Sequence, residues 1–391
     1  MCVNVHDGVM DTEEKNVLSF RPSLKLEKAL KSTQAEVVNI FSDLDSVDQD
    51  EKHWLHKWAL ISTVGGSTRI ENAILTDAEI EWVDTTLSAV GYPSSFESQK
   101  KDILDKLSKD HERSVEEVIG CREVLSLVYM QATELFPLSE GTIRHLHRTL
   151  LNFYPSAEHY AGKYKTSPNQ VVSMNHETGT RRIVLDPTPP GPQTSVAMKD
   201  LVEWYNSALK QHPWPLLVAT EFVFRFLAIH PFQDGNGRLG RALFLMAMLQ
   251  SDDPAMNAVM QFISIDRQIE RHRPLYYSVL NQTSGGKYRS DLSEYNLEPL
   301  AWFFLKMMDK SIGDIKILRE KYRSFRRLSE NALNILACFK ASPERKLKLS
   351  DLMKETTLGR RTVQNILVKI TSLGFIQQIG SGPSTRYQLI F

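Results

Sequence analysis

The sequence predicts a mainly α protein: a helical core carrying one small β-hairpin, followed by a C-terminal module of different character. Three observations lead there. Apolar residues recur at spacings of three and four through most of the chain. One stretch of the body, Tyr160 to Pro192, shows strand-like alternation instead. Beyond about Ser324 both pattern and charge change. With 391 residues the chain is too long for one compact core, and it divides at residues 1–75, 76–323 and 324–391.

Taken in order, "EKHWLHKWALISTV", "DAEIEWVDTTLSAV", "VEEVIGCREVLSLVYMQATELF", "EGTIRHLHRTLL" and "VAMKDLVEWYNSALKQ" all read as helices with an apolar face. "NQVVSM" and "TRRIVL" flank the turn-like "NHETG" and predict a β-hairpin, after which "DPTPPGP" is a proline-rich loop. Trp214 to Ile229 reads as a buried helix and "GRLGRALFLMAMLQ" as the next, which makes His230 to Gly237 the loop joining two core helices. In the tail, "SENALNILACFKAS", "LSDLMKE", a "TTLG" turn, "RRTVQNILVKITSLG" and "FIQQIGSGPSTRYQLIF" give three helices and a glycine-containing hairpin. That order resembles a winged helix-turn-helix.

Formal net charge is zero, yet residues 316–391 hold fifteen Lys and Arg against five Asp and Glu. A basic tail therefore follows a mildly acidic body. Cys2, Cys121 and Cys338 are too few and too scattered for a disulfide framework or a zinc finger, which fits a reducing compartment. The N-terminus "MCVNVHDGVMDTEEKN" lacks a signal-peptide pattern, and the most apolar stretch, "PLLVATEFVFRFLAIH", is broken by Glu221 and Arg225. The expectation is a cytoplasmic protein with no membrane span.

"HPFQDGNGRLGR", His230 to Arg241, concentrates unusual chemistry. Gly235, Asn236 and Gly237 fall where backbone N–H groups at a helix start are free, and the glycines admit a ligand close to the main chain. Arg238 and Arg241, three apart, share one face of the first turn, where the helix dipole disfavours cations by a few tenths to about 1 kcal/mol each. Two such violations point to a bound polyanion. Asp234 suits a Mg²⁺ resting on phosphate oxygens, and His230 suits removal of a proton from an attacking hydroxyl. Singly, each has a structural alternative: His230 a helix-end cap, Asp234 a turn former, the glycines a plain turn, the arginines a solvated face. Phe232 reads as a core anchor. One phosphate site accounts for the coincidence of all of them.

The run resembles the complete signature of the Fic family: His-Pro-Phe, an acid, Gly-Asn-Gly-Arg, and a second Arg three residues on. The resemblance implies an all-α Fic core over roughly Thr76 to Arg323 that transfers AMP from ATP to a Tyr, Thr or Ser hydroxyl of a protein, releasing pyrophosphate. It assigns His230 as base and Asp234 to Mg²⁺. Gly235, Asn236, Gly237, Arg238, Leu239, Gly240 and Arg241 become the ATP-binding run, with Arg241 at the γ-phosphate. Tyr276 and Tyr277 in "RHRPLYYSVL" become candidates for contact with the nucleoside. The hairpin within Tyr160 to Leu185 becomes a flap that positions the target segment, and "GKYKT" has Lys163 and Lys165 where many relatives carry arginine. A Doc-like kinase is the alternative within the fold, although such relatives carry Lys where Gly237 stands.

"GGSTRIENAIL" contains Ser67, then Glu71 and Asn72, similar to the inhibitory-helix pattern of the class with that helix N-terminal to the core. The resemblance implies that Glu71 pairs with Arg241, lies in the ATP site and limits activity; some relatives use this glutamate to remove AMP again. Thr68 and Glu71 also fit a capping box, in which the glutamate merely caps its own helix. In the tail, Arg360, Arg361, Lys369 and Arg386 suit DNA phosphates, with protein docking as the alternative. The implied partners are ATP, a hydroxyl-bearing protein or the chain itself, and DNA or a docking protein. A homodimer and a nucleotide-sensing DNA-binding regulator without catalysis stay open.

Overall fold

Capping chemistry sets where the first helices begin. Ser23 accepts the Leu26 N–H through its side chain and opens α1 (Leu24–Asp45); Asp48 does the same for Glu51 and opens α2 (Gln49–Ile70). The computed structural model describes residues 17–90, 103, 112–174, 181–341 and 343–390. The "NHETG" turn lies outside them, as does Cys2. After α3 (Asp77–Val90), α4 (Glu112–Gln131) and α5 (Glu140–Leu150) come two short antiparallel strands, β1 (Val171–Met174) and β2 (Arg181–Leu185). A register irregularity falls between Val171 and Val172. Backbone bonds of Asp186 to Gly286 and Tyr288 anchor the base of this hairpin to the body.

α6 (Pro192–Gln211), α7 (Pro215–Ile229) and α8 (Asn236–Leu249) follow, then α9 (Pro254–Met260), α10 (Ile265–Arg271), α11 (Arg273–Ser284) and the long α12 (Glu298–Arg326). Every residue of α7 after Pro215 is buried, so it is the centre of the body rather than a surface helix. Its phenylalanines Phe222, Phe224 and Phe226 are each worth roughly 1.5–3 kcal/mol of burial. Glu221 and Arg225, the charges that interrupt its apolar run, lie one turn apart at 3.6 Å. Glu221 also accepts the Ser19 N–H, and Arg225 lies over the Trp204 ring.

One continuous hydrophobic core runs from Leu18 to Leu318, so α1 and α2 pack into the same interior as α7 and α8. α2 makes its closest approach at Gly66: a Cβ there would meet the Asp266 carbonyl carbon at 2.7 Å. That approach brings the C-terminal end of α2 onto α10. A second core begins at Leu328 and joins α13 (Glu330–Lys340), α14 (Leu349–Thr356), α15 (Arg360–Ser372) and the antiparallel pair β3 (Ile376–Ile379) and β4 (Arg386–Leu389). Among the described residues no helix is long and apolar enough to cross a membrane.

Candidate active site

α7 ends at Ile229, and its cap, His230, adopts the left-handed region (φ 50°, ψ 58°). α8 starts at Asn236, so the joining loop is His230 to Gly235, two residues shorter than the sequence suggests. Side-chain chemistry locks it. Asn236 accepts the Phe232 N–H at 2.9 Å and donates to the Phe232 carbonyl at 2.7 Å, an amide standing in for a neighbouring strand. Phe232 is fully buried, as a core anchor should be, and stacks on His147 with centroids 3.8 Å apart. His147 accepts the Gly162 N–H at Nδ1, so Nε2 carries the proton and donates to the Asp234 carbonyl at 2.9 Å. Burial holds this ring's pKa down at about 4, which keeps it neutral.

His230 Nδ1 lies 3.3 Å from the Leu227 carbonyl, an acceptor that fixes the proton on Nδ1 and leaves the Nε2 lone pair free. The residue lines a cavity of about 270 Å³. Its pKa is lowered to about 4, first by burial and then by the Lys165 charge, so the ring is a neutral acceptor at pH 7. Lys165 itself is buried under the loop, where its ammonium donates to the Ile229 carbonyl and to Asn169. Burial lowers its pKa to about 8. Lys163, by contrast, is exposed and donates to the His159 carbonyl within its own turn.

The first intrahelical bond of α8 runs from Leu239 N–H to the Gly235 carbonyl, so the N–H groups of Asn236, Gly237 and Arg238 open the helix without intrahelical partners. Glu71 occupies this positive end. Its Oε1 sits where a Cβ on residue 237 would be, and only glycine leaves that space. The same oxygen accepts Arg241 Nη2 at 3.0 Å. Arg241 also donates to the Ser67 hydroxyl (3.0 Å) and carbonyl (2.7 Å), with Asp266 at 3.6 Å. Burial opposes the Arg241 charge, but the Glu71 and Asp266 carboxylates outweigh it and raise its pKa. Asp266, fully inside the protein, is pushed up to about 6 by burial, against the pull of Arg241.

The capping-box alternative for Glu71 fails on geometry. Glu71 is the C-cap of α2, not a residue of a first turn, and the Thr68 hydroxyl bonds back to the Val64 carbonyl. Asn72 follows in the left-handed region (φ 75°), and its side chain accepts from Arg273 at 2.8 Å. Neither Ser67 nor Asn72 lines the cavity, whereas Glu71 does.

Arg238 is held differently. It donates to the Tyr154 hydroxyl at 3.1 Å and lies 3.9 Å from Glu117 and 3.8 Å from Asp234, while its buried Nε has no partner among the described residues. Asp234 keeps a half-exposed side chain beside it, one oxygen accepting the Gly235 N–H. Among the described residues no group of three or more His, Cys, Asp or Glu is arranged to hold a metal. A cation here would therefore take one protein carboxylate and draw its other ligands from phosphate and water, an arrangement that suits Mg²⁺.

Tyr276 and Tyr277 both line the cavity; Tyr276 is buried with a hydroxyl that has no partner among the described residues, and Tyr277 lies under the Arg273 guanidinium. Val171, Val172, Val184 and Leu185 of the hairpin close another side. Leu239 and Gly240 do not reach the cavity. Leu239 is fully buried, and Gly240 faces Leu227 and Phe226 of α7, because the helical turn carries both residues away from the face of Gly237 and Arg241. Sequence reasoning missed Glu117, His147, Tyr154 and Asp266.

Residues 137–248 match the family described as Fic/DOC family. Proteins named protein adenylyltransferase Fic are similar to the chain. The one from Drosophila willistoni is 24% identical over 295 residues, covering 73% of this chain and 53% of that protein. The one from Nematostella vectensis is 28% identical over 177 residues, covering 44% and 35%. The chain thus spans about half the length of the first of these relatives, or less. Among solved structures, a Fic family protein from Desulfovibrio desulfuricans superposes with a TM-score of 0.52 at 19% identity, covering 95% of this chain and 98% of that one. A Fic domain containing signaling protein from Bacteroides thetaiotaomicron gives 0.54 at 21%, covering 75% and 98%. The chain carries a Fic domain, with homology to Fic protein adenylyltransferases.

Proposed function

We propose that the protein is an adenylyltransferase that moves AMP from ATP to a hydroxyl side chain of a protein and restrains itself through Glu71. One observation carries this reading: a carboxylate from α2 occupies the anion cradle of α8 and holds Arg241, in the same cavity as a histidine whose Nε2 lone pair can accept a proton. A negatively charged side chain parked in that position is a stand-in for phosphate.

The target hydroxyl oxygen attacks the α-phosphorus while His230 Nε2 takes its proton. The bond from the α-phosphorus to the bridging oxygen breaks, and pyrophosphate leaves with both electrons of that bond. The N–H groups of Asn236, Gly237 and Arg238 hold phosphate oxygens, and Arg238 and Arg241 clamp the anion; the Asn236 side chain keeps the loop in shape. Asp234 would hold Mg²⁺, which supplies neutralisation of phosphate charge when bound. Tyr276 and Tyr277 line the space suited to the nucleoside, and the hairpin of β1 and β2 is the edge that receives the target.

In this reading the C-terminal module is a winged helix-turn-helix that docks on duplex DNA. Arg360 and Arg361 at the start of α15, Lys369 and Arg386 are all exposed, which supports it. A protein partner is the other outcome of a low-salt mobility-shift assay. A phosphotransfer reading is disfavoured by the crowding at Gly237, where a lysine would displace Glu71. Intact-mass measurement of wild type, Glu71→Gly and His230→Ala after incubation with ATP and Mg²⁺ tests the catalytic reading. Added AMP in Glu71→Gly and none in His230→Ala is the expected pattern; added phosphate, or no adduct on the chain or on lysate proteins, would overturn it.

A further inference from the structure

A second cleft, as large as the catalytic cavity, opens where the body meets the C-terminal module, at about 300 Å³ against about 270 Å³. Its walls are aromatic and come from separate elements: Trp54 of α2, Phe325 at the end of α12 and Phe375 just before β3. Trp54 leans on Tyr322 with ring centroids 5.7 Å apart, and the Phe325 and Phe375 centroids are 6.1 Å apart, so the walls are braced by other rings. Clefts between folded units, apolar with a few convergent polar groups, are where small ligands bind.

The polar groups that converge here are unbalanced. Lys57 of α2, Lys321 of α12 and Lys340 of α13 all line the cleft, against the single carboxylate of Glu81 on α3. Glu81 Oε1 is shared by Lys340 at 3.0 Å and Lys57 at 3.5 Å. Among the described residues no carboxylate pairs with Lys321, whose ammonium lies 5.6 Å from the centre of the Phe375 ring. Burial lowers its pKa, with Lys340 acting the same way and Asp77 and Glu81 opposing them. A half-buried ammonium with no paired carboxylate among the described residues, set against tilted aromatic rings, is a poor structural choice unless a ligand completes it.

We propose that this cleft binds a small aromatic carboxylate, its ring system against Trp54, Phe325 and Phe375 and its anionic group on Lys321. Among the described residues Lys321 is the one cation of the cleft with no paired carboxylate, which selects a negatively charged group, and the three aromatic walls select a ring system beside it. The space continues past Lys57, Glu81 and Lys340 into a smaller recess of about 170 Å³ against Trp82, which leaves room for a substituent on the ring.

Calorimetric titration of the full chain with 2-naphthoate and its neutral analogue 2-naphthamide tests this. Naphthoate should bind one to one, at least about tenfold more tightly than the amide, since a charge-assisted hydrogen bond is worth roughly 1.5–3 kcal/mol. Lys321→Met should erase that difference while leaving amide binding and the thermal melt unchanged. Phe375→Leu should weaken both ligands. Equal affinity for acid and amide, no effect of Lys321→Met, displacement of naphthoate by ATP, or no heat up to several millimolar ligand would each sink the proposal.

Discussion

Two arginines one helical turn apart on α8 are treated in opposite ways. Arg241 is enclosed by Ser67, Glu71 and Asp266, with three hydrogen bonds of 3.0 Å or shorter, all from protein groups outside its own helix. Among the described residues Arg238 has one hydrogen bond, to the Tyr154 phenol, and carboxylates at 3.8 and 3.9 Å, with its Nε unpartnered. Both are buried to the same degree. Burial alone therefore does not decide whether a cation is available to a ligand; how completely the protein has already answered its donors does. Arg238 keeps donor capacity unanswered by the described residues, whereas the donors of Arg241 are already taken by Ser67 and Glu71.

The most damaging way to break this contrast is Arg241→Ala. Transfer should fall by about 10²- to 10³-fold or more, the scale of losing one charge-stabilising donor. It should stay low when Glu71→Gly is added, because a competitor cannot be relieved at a clamp that is gone. Stability should change in a pH-dependent way. Burial already holds Asp266 up at about 6, and Arg241 pulls it down. Removing Arg241 raises it further, so the variant should lose melting temperature relative to wild type as pH rises through about 6, and regain it below.

Glu71→Gly should act in the other direction, raising adenylylation by roughly 10- to 100-fold at subsaturating ATP, the worth of one charge-assisted contact of about 1.5–3 kcal/mol. Initial rates for wild type, both single variants and the double variant measure it; activation that persists without Arg241 would mean that the glutamate acts through another group. A smaller effect separates carboxylate from cradle. Gly237→Ala places a methyl on Glu71 Oε1, so it should activate the wild type a few-fold and do nothing, or slow the reaction, in the Glu71→Gly background. Equal effects in both backgrounds would show that Glu71 does not sit there in solution.

The smallest effect concerns protons. His230 and His147 both have pKa values lowered to about 4 from an ordinary 6.5. The fold favours their neutral forms, so the stability they contribute is full above about 6.5 and is lost as pH falls toward 4. The rate of the Glu71→Gly enzyme should accordingly stay level down to about pH 5 and drop only at or below 4, since the Glu71 carboxylate that holds the His230 pKa up is gone, whereas a base with an ordinary histidine pKa would begin to fail near 6.5.

Helical periodicity was enough to find α2, α3, α4, α5 and the α7–α8 pair, and strand alternation found β1 and β2, because those patterns are local. The cradle was legible for the same reason: its groups lie within twelve consecutive residues. Contiguity also misled, since Leu239 and Gly240 are adjacent to ligand-facing residues in sequence but on the opposite side of the helix. His147, Tyr154, Glu117 and Asp266 could not be found that way. Each comes from a different segment, and each has an ordinary reason to be where it is. Asp266, two residues after the cap Ser264, reads as a first-turn acid. The charges Glu221 and Arg225 do break the apolar run of α7, yet both are buried as an ion pair at 3.6 Å, with Glu221 Oε1 and Arg225 Nη1 lacking hydrogen-bond partners among the described residues, so a broken run does not imply an exposed helix.

The space at Gly237 also constrains history. No side chain larger than hydrogen can stand at 237 while Glu71 keeps its carboxylate in place. The constraint runs one way: a larger residue at 237 requires that the Glu71 carboxylate be elsewhere, whereas loss of Glu71 leaves glycine at 237 fully tolerated.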